Sequence, residues 1–370
     1  MAVVQSDLVV EVAESFEHAF DQLIKPEEWD TLLSKAQSNV VFLTRQWQQT
    51  WWNHFGTPAN CQLHLMILRD EGGTLVGVAP IFVAAEPLPP FAEYKRGEPS
   101  RPEGKGTPIR IVQFVGGKDI ADYLDIIAEP AHMEAVWSAV LAFLLSKRDT
   151  WDAIDFHSLP DWSLSHEILA RIGSKHDVSF NVAREDVCPI IELPGDWDTY
   201  LMSLRKKDRH ELRRKVRKLE GRDDVRWYLV PPDDADRMQS EMQTFLDLHR
   251  SSGVDKAHFM DDKMANYFLD MTRDLSNTGW LDLAILTISN EPASAYLSYK
   301  YGGRLYLYNS GYSQRFAAYS AGVALLAYRI HKAILQGLHQ FDFLRGDEEY
   351  KYDFGAKDTY IYRALYAPTK

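Results

Sequence analysis

Cysteine is scarce in this sequence. Cys61 and Cys188 are the two cysteines among 370 residues. Two thiols can form neither a disulfide framework nor a zinc site of four thiolates. Because structural disulfides belong to oxidising compartments, we expect two reduced thiols in a cytoplasmic protein. We also expect no metal cofactor.

The chain also lacks a long apolar run and a surplus of positive charge. No apolar stretch approaches the roughly 20 residues that span a bilayer. The N-terminus carries acidic residues instead of the basic start of a secretory signal. A formal net charge of -12 argues against a protein that mainly coats nucleic acid or an anionic membrane. The sequence therefore predicts no membrane span and disfavours nucleic acid as a partner.

What the sequence does contain is enough apolar material for two cores. Hydrophobic residues make up 45% of the chain and aromatic residues 12%, which is typical of a folded protein. The length exceeds that of one ordinary domain. Pro189, Pro194 and Gly195 interrupt the pattern midway, so we place the first domain at 1–190 and the second at 191–370. A second irregular segment, residues 86–108, is predicted to be an exposed excursion.

The two halves repeat one order of elements. In each half a predicted hairpin is followed by a strand, an apolar helix and a buried strand. In the second half these last three are RLYLYNSGY (304–312), AGVALLAYRIHKAILQGL (321–338) and FDFL (341–344). The pattern predicts an α/β fold in both halves.

The loop before the helix at 321–338 is a candidate anion site. Free backbone N–H groups point outward from the first turn of a helix, and the helix dipole favours negative charge there. The candidate phosphate cradle consists of Tyr319, Ser320, Ala321, Gly322 and Val323. The alternative is that Ser320 only caps the helix and Gly322 only permits close packing on the sheet.

A cluster of polar residues follows the last of these strands. Asp347 and Glu348 are the carboxylates nearest to the strand end, where a general base for an amine is expected. Tyr350 is a candidate proton donor to a leaving thiolate, and Lys351 is a candidate ligand for a phosphate. An exposed turn of mixed charge would have the same sequence, so both interpretations stay open.

Two further polar residues stand in apolar patterns. Asp342 lies between Phe341 and Phe343 in a strand expected to be buried. An ionised carboxylate there requires partners or a raised pKa, and either could serve function or structure alone. His249 lies on an apolar helical stripe, and such a histidine is more often a core residue than a base.

Residues 205–218, RKKDRHELRRKVRK, are strongly basic in an acidic chain. Apolar residues at helical spacing predict one packed face and one charged face. The charged face is either simply solvated or a docking surface for CoA phosphates, a nucleotide sugar or an RNA acceptor stem.

Several segments together resemble one known family. The sequence is similar to the CelD/BcsL group of GNAT-type acyltransferases, which is associated with bacterial cellulose and other exopolysaccharide formation. That group is related to the Fem-type aminoacyl transferases, which carry two GNAT modules. The matching segments, in chain order, are FLTRQWQQTWWNHFG (42–56), ADYLDII (121–127), LPGDWDTYLMSLRKKDRHELRRKVRKLE (193–220), FLDLHRSSG (245–253) and FDFLRGDEEYKYDFGA (341–356).

The resemblance implies a fold and a donor. It implies two tandem GNAT-like modules, each with a mixed, mainly antiparallel sheet flanked by helices. It also implies an acyl-CoA co-substrate and an acceptor amine or hydroxyl. A histidine at the position of His249 belongs to the family pattern, which makes this residue a second candidate base. The first module, whose segment AEPAHMEAV lacks a glycine loop, is expected to bind no cofactor.

One departure from the family concerns the pyrophosphate loop, R/Q-x-x-G-x-G/A. This chain has AAYSAG (317–322), which keeps the last glycine and lacks the leading Arg or Gln. Gln314 and Arg315, slightly upstream, are then the expected donors. Backbone N–H groups between Asn309 and Tyr312 are expected to steady the oxyanion of the transition state.

Three functions remain open from the sequence. The first is acyl transfer from acyl-CoA to a sugar or small metabolite, by direct attack in a ternary complex. The second is Fem-like aminoacyl transfer from tRNA. The third is a non-catalytic scaffold in a polysaccharide-synthesis assembly, which the imperfect glycine loop favours and the cluster around Glu348 disfavours.

Overall fold

The computed structural model describes residues 3–5, 8–59, 61–86, 109–173 and 178–367. The chain forms two compact units, one of Met1–Asp186 with Tyr360–Lys370 and one of Val187–Thr359. The second module was expected to continue to residue 370. Instead, the last strand pairs with a strand of the first unit, so the C-terminal segment belongs there. The predicted excursion at 86–108 lies, from residue 87 on, outside the described residues.

The first unit is built on a sheet with helices. Its strands are β1 (Val3–Gln5), β2 (Leu8–Ala13), β3 (Gln62–Asp70), β4 (Leu75–Glu86), β5 (Ile109–Phe114), β6 (Ile127–Ala128) and β7 (Ala153–Pro160). Its helices are α1 (Phe16–His18), α2 (Pro26–Lys35), α3 (Arg45–Trp51), α4 (Met133–Ser146) and α5 (Ser165–Ile172). In the segment 42–56, whose aromatic residues recur at helical spacing, α3 is short, and a π-helical turn, Trp52–Gly56, extends it.

The strands of the first unit follow the order β1, β2, β3, β4, β5, β7, with β6 beside β4. Only β5 and β7 among these pairs are parallel. Helix α4 packs closely on the sheet, because a Cβ added at Gly77 would lie 2.6 Å from Val136. The indole of Trp137 contacts the rings of Phe114 and Phe156. The parallel pair and its crossover helix thus form the core of this unit.

The second unit repeats this plan. Its strands are β8 (Asn181–Glu192), which begins in the first unit, β9 (Val225–Leu229), β10 (Leu281–Ile288), β11 (Glu291–Tyr301), β12 (Arg304–Tyr312) and β13 (Gln340–Asp342). Its helices are α6 (Trp197–Ser203), α7 (Lys206–Glu220), α8 (Ala235–Ser251), α9 (Val254–Phe259), α10 (Asp262–Leu275), α11 (Ala321–Leu335) and α12 (Glu349–Asp353). The last strand of the chain is β14 (Lys357–Tyr366).

The strand order of the second unit is β8, β13, β12, β11, β10, β9. Only β12 and β13 among these pairs are parallel, and α11 connects them. An apolar cluster between α11, α7 and the sheet contains Leu212, Leu286 and Ile330. Both units therefore place an antiparallel hairpin beside a parallel pair that is bridged by an apolar helix. The predicted mixed, mainly antiparallel α/β architecture is confirmed.

A buried polar network is centred on the middle of β7 in the first unit. The Nε2 atom of His157 lies 3.0 Å from Asp155, and its Nδ1 atom lies 2.7 Å from Glu185. Arg363 forms a bidentate pair with Asp155. Burial alone would lower the pKa of His157, but the charges and hydrogen bonds of Glu185 and Asp155 outweigh burial and raise it. The imidazolium is therefore the stabilised form.

This raised pKa predicts a pH dependence of stability. The stabilisation from protonated His157 is fully present below the unfolded-state pKa of about 6.5 and is lost as pH rises through the raised folded-state pKa. We expect the difference in unfolding free energy between wild type and His157→Gln to shrink from pH 6 toward pH 9. Urea unfolding across this range measures it, and a constant difference would contradict the assignment.

No helix in the described ranges is both long and apolar enough to cross a bilayer. The cytoplasmic location inferred from the sequence remains a prediction.

Candidate functional site

The parallel strands β12 and β13 separate after a short pairing. Arg304–Tyr306 pairs with Gln340–Asp342, and there β13 ends while β12 continues to Tyr312. Beyond this point, no other strand of the described chain pairs with that edge of β12. We call this opening, between residues 307–312 and the end of β13, the β12–β13 fork. Because α11 connects the two strands, its first turn lies at the fork.

The first turn of α11 offers free backbone donors. Ser320 adopts a left-handed conformation with φ 55°, and its side chain caps no N–H group. Within the described part of the chain, the N–H groups of Ala321, Gly322 and Val323 have no acceptor. A Cβ added at Gly322 would meet the Tyr296 hydroxyl only at 3.5 Å. Ser320 therefore does not cap this helix through its side chain, and close packing does not explain the glycine at position 322.

The upstream residues predicted as donors face elsewhere. Gln314 and Arg315 lie in a 3-10 helix, Gln314–Tyr319. The amide of Gln314 donates to the Ser252 carbonyl at 3.2 Å. Arg315 is exposed and forms an ion pair with Glu291. In this arrangement neither side chain supplies a donor to the first turn of α11.

Basic side chains of α7 and of the turn that follows it cover the remaining part of the loop. The ammonium of Lys218 donates to the Ala318 carbonyl at 2.8 Å. The guanidinium of Arg222 lies 4.6 Å from the centre of the Tyr319 ring. Tyr319 therefore contacts cations instead of extending into the cradle. The positive charge of α7 nevertheless adjoins the start of α11.

The loop after β13 is organised by two buried residues. Asp342 accepts a hydrogen bond from the Leu344 N–H at 2.8 Å and holds that residue in a left-handed conformation, φ 57°. The ammonium of Lys351 donates to the carbonyls of Leu344, Arg345 and Gly346 at 3.2, 2.9 and 2.8 Å. Both side chains thus maintain the loop and do not face an open surface.

Glu348 is the carboxylate that this loop positions. It pairs with Lys351 at 2.8 Å, and its side chain remains 59% exposed. A Cβ added at Gly346 would lie 2.6 Å from the Glu348 carboxylate, so the acid folds back over the glycine. Asp347 is exposed, and no hydrogen bond fixes its side chain among the described residues. Of these two carboxylates, Glu348 has the defined position.

Tyr350 contacts the same loop. Its ring meets Phe343 edge-on, with centroids 6.1 Å apart. Removal of the phenol from water, together with the charge of Glu348, raises the pKa of Tyr350. The phenol is therefore a weaker acid than an ordinary tyrosine.

Three polar residues at the end of α8 and in α9 complete the site. His249 and Lys256 both approach the Ser310 carbonyl of β12, with Nδ1 at 3.0 Å and Nζ at 2.6 Å. The Ser252 hydroxyl accepts the Tyr312 N–H at 2.8 Å, so this N–H is not available to an oxyanion. The amide nitrogen of Asn309 is buried without a hydrogen-bond partner in the described structure.

Sequence reasoning missed Lys256 and Ser252. Ser252 lies inside the matched segment FLDLHRSSG but had no role there, and Lys256 follows Gly253 with no distinctive neighbour. Burial lowers the pKa of Lys256, and the charge of Glu348 opposes that effect. The two ionisable groups therefore interact electrostatically across the fork.

No group of three or more His, Cys, Asp or Glu residues is arranged to hold a metal ion within the ranges that the structure describes.

Comparisons with known proteins bear on this architecture. Residues 206–352 match the family model of the acetyltransferase (GNAT) domain. The matched region contains α7 to α11 and most of α12, and hence the β12–β13 fork. No curated protein matches this sequence.

Several solved structures share the fold at low identity. A crystal structure of FemX is 13% identical, covers 93% of this chain and 96% of its own, and has a TM-score of 0.62. A conserved protein of unknown function from Bacteroides thetaiotaomicron is 10% identical, with coverage of 97% and 100% and a TM-score of 0.57. The structure of L-PGS from Bacillus licheniformis is 13% identical, with coverage of 94% and 93% and a TM-score of 0.53.

The domain match and the fold together confirm two predictions. The fold is GNAT-like, and the chain is an acyltransferase by its acetyltransferase domain. The narrower resemblance to the CelD/BcsL group is not confirmed by these comparisons.

Proposed function

We propose that this acyltransferase takes its acyl group from acyl-CoA at the β12–β13 fork of the second unit. The observation that carries the proposal is the first turn of α11, where three N–H groups without acceptors stand at the point where the strands separate. Such a turn suits the pyrophosphate of a CoA thioester. GNAT domains generally use this class of donor, and Gly322 leaves space for close approach.

The remaining parts of the fork suit the acyl end of the donor. The thioester carbonyl would lie along the free edge of β12, where the backbone between Asn309 and Gly311 steadies the oxyanion. Because the Tyr312 N–H is engaged by Ser252, that position does not contribute. Glu348 is the proposed general base, since the loop fixes it beside the fork. His249 donates its Nδ1–H to the Ser310 carbonyl and remains the second candidate base.

The reaction is a direct transfer. The acceptor amine or hydroxyl loses a proton to Glu348 and attacks the thioester carbon, forming a C–N or C–O bond. The C–S bond then breaks, and CoA leaves as a thiolate that must gain a proton. No covalent enzyme intermediate is required.

Thiol release tests this function. Purified protein is mixed with acetyl-CoA and longer acyl-CoA esters, and free CoA is measured with and without an acceptor. We expect acceptor-dependent release and a rise in melting temperature with CoA alone, because CoA binds the folded state selectively. No thermal shift and no thiol release with any ester would contradict the proposal.

The acceptor is proposed from the sequence resemblance to the exopolysaccharide group. This resemblance points to an amine or hydroxyl of a sugar as the acceptor. A panel of amino sugars, neutral sugars and simple amines, assayed by thiol release, distinguishes a saccharide acceptor from a small metabolite. Turnover of simple amines alone would remove the link to polysaccharide formation.

An aminoacyl-tRNA donor is the second candidate, and one surface favours it. We define the basic stripe as Lys206, His210, Arg213 and Arg217, which lie on one side of α7 because their spacing is helical. All four are exposed, and within the described structure none of the three cations forms an ion pair. Arg214, by contrast, is paired with Glu211 at 2.7 Å. Cations without partners suit a polyanion.

Charge reversal tests this candidate. If the basic stripe binds tRNA, Arg213→Glu with Arg217→Glu should weaken binding and reduce the slope of log affinity against log salt by about 2. The matched control reverses two charges on the neighbouring face, Lys207→Glu with Arg214→Glu, and should have a smaller effect. Filter binding or anisotropy at low salt measures both. No tRNA binding by wild type at low salt would remove this candidate.

A non-catalytic scaffold is the least supported of the three functions. The acetyltransferase domain match and the positioned, exposed carboxylate of Glu348 have no evident purpose in a scaffold.

A further inference from the structure

The proposed reaction still needs a proton donor for the leaving thiolate, and Lys256 lies beside the β12–β13 fork. It stands in α9, which follows Gly253 directly after α8, and its side chain extends to β12. Its Nζ atom lies 2.6 Å from the Ser310 carbonyl oxygen and 3.1 Å from the Ser310 hydroxyl. The lysine is only partly exposed. A flexible surface lysine has no such fixed position.

Ser310 connects this ammonium to the start of α11. Ser310 and Tyr296 are directly opposed in the β12–β11 ladder, so their side chains share one face with Cβ atoms about 5 Å apart. The Tyr296 hydroxyl donates to the Gly322 carbonyl at 3.1 Å. Lys256 is thereby placed at the fork, close to the turn that would hold the donor.

The ammonium keeps one donor for a ligand. A protonated lysine carries three N–H donors, and the carbonyl and hydroxyl of Ser310 take two of them. In the described structure the third has no acceptor and no ion pair. The negative charge of Glu348, on the other side of the fork, acts to raise the pKa of Lys256.

We propose that Lys256 is the acid that protonates the leaving thiolate. The proposal rests on the acyl-CoA function argued above. As the C–S bond breaks, its electron pair stays on sulfur, and Lys256 gives one proton to that sulfur and becomes a neutral amine. The proton that Glu348 took from the acceptor restores the ammonium, so the cycle is balanced without another reactant.

Acid strength favours Lys256 over Tyr350, the donor expected from the sequence. Burial lowers the pKa of Lys256 toward that of a thiol, which is about 8.5 for cysteine. Burial and Glu348 raise the pKa of Tyr350. The charged and titratable groups facing Lys256 are His249 from α8, Tyr312 from β12 and Glu348 from the loop. A proton donor works best when its pKa is near that of the leaving group.

The test compares leaving groups. Lys256→Met is assayed with acetyl-CoA and with an acetyl thioester of thiophenol, whose thiolate is a weak base and needs no acid. We expect kcat/KM to fall about 100-fold with acetyl-CoA and by a few-fold at most with the aryl thioester. Each fall is the ratio of kcat/KM between wild type and variant with the same donor. Weak binding of the aryl ester lowers both values and leaves this ratio unchanged. Lys263→Met, an exposed lysine in α10, is the matched control.

A second variant separates proton transfer from positive charge. Lys256→Arg retains the charge and the hydrogen bonds, and so keeps the fold, but an arginine does not release its proton. It should be as slow as Lys256→Met with acetyl-CoA and nearly as fast as wild type with the aryl thioester. The wild-type rate should also fall at high pH as Lys256 loses its proton, and Lys256→Arg should not show that fall.

The outcomes separate a failure of the role of Lys256 from a failure of the acyl-CoA function on which it rests. If wild type releases no thiol from any acyl-CoA, the proposed function itself fails. If wild type is active and Lys256→Met slows both donors equally, or Lys256→Arg is fully active with acetyl-CoA, then Lys256 is not the acid.

Discussion

Gly322→Asp is expected to abolish binding of CoA and its esters while leaving the melting temperature unchanged or raised. An acidic residue in the first turn of a helix favours the helix through its dipole, and a Cβ fits at this position. The same carboxylate would face the pyrophosphate. Two unit charges about 4 Å apart repel by about 4 kcal/mol at an effective dielectric constant of about 20, which is roughly a 1000-fold loss of affinity.

The matched control for this substitution is Gly322→Ala. It adds the same Cβ without charge and replaces a helical glycine, so it should be more stable by about 0.5–1 kcal/mol. Calorimetric titration with CoA measures affinity, and differential scanning measures stability. Unchanged affinity in Gly322→Asp would show that the start of α11 does not hold the donor.

Lys351→Met is expected to lower kcat by about 100-fold or more with little change in KM for acyl-CoA. The ammonium is buried, and it joins three carbonyls of the loop to Glu348. Methionine has a similar shape and no donor, so the carbonyls lose their partner and Glu348 loses its position. Because three buried acceptors are left unsatisfied, the free energy of unfolding should fall by about 3 kcal/mol.

Steady-state kinetics and urea unfolding measure the two effects of Lys351→Met. Lys357→Met is the control, since Lys357 is exposed at the start of β14. A raised KM with normal kcat would instead show that Lys351 binds a phosphate of the donor, as the sequence suggested.

The regular elements were largely predictable from local patterns. The apolar helix and the strand before it were predicted because periodicity is a local property. β12 has the predicted bounds, and α11 begins at Ala321 as predicted but ends at Leu335 instead of Leu338. The strand FDFL was predicted one residue late and too long. Asp342 turns back to the Leu344 N–H, which forces a left-handed residue and ends β13 at Asp342. A side-chain hydrogen bond of this kind leaves no periodic signal.

The site was less predictable, because a charged residue in a sequence does not reveal where its side chain points. Lys351 was expected to bind a phosphate, yet its ammonium is enclosed by its own loop. Arg315 was expected to supply a donor, yet it pairs with Glu291 at the start of β11. Lys256 was missed because its importance arises from the fold of α9 toward β12. Only tertiary packing determines which of many lysines lies at the fork.

The return of the chain to the first unit has a consequence for synthesis on the ribosome. The strand that completes the sheet beside β7 includes residues from Tyr360 onward, which are synthesised after the whole second unit. The first unit therefore cannot finish folding until the second has been made, although its own residues emerge first. A recombinant fragment that stops at residue 190 would leave one edge of β7 exposed, and aggregation is the expected fate of such an edge.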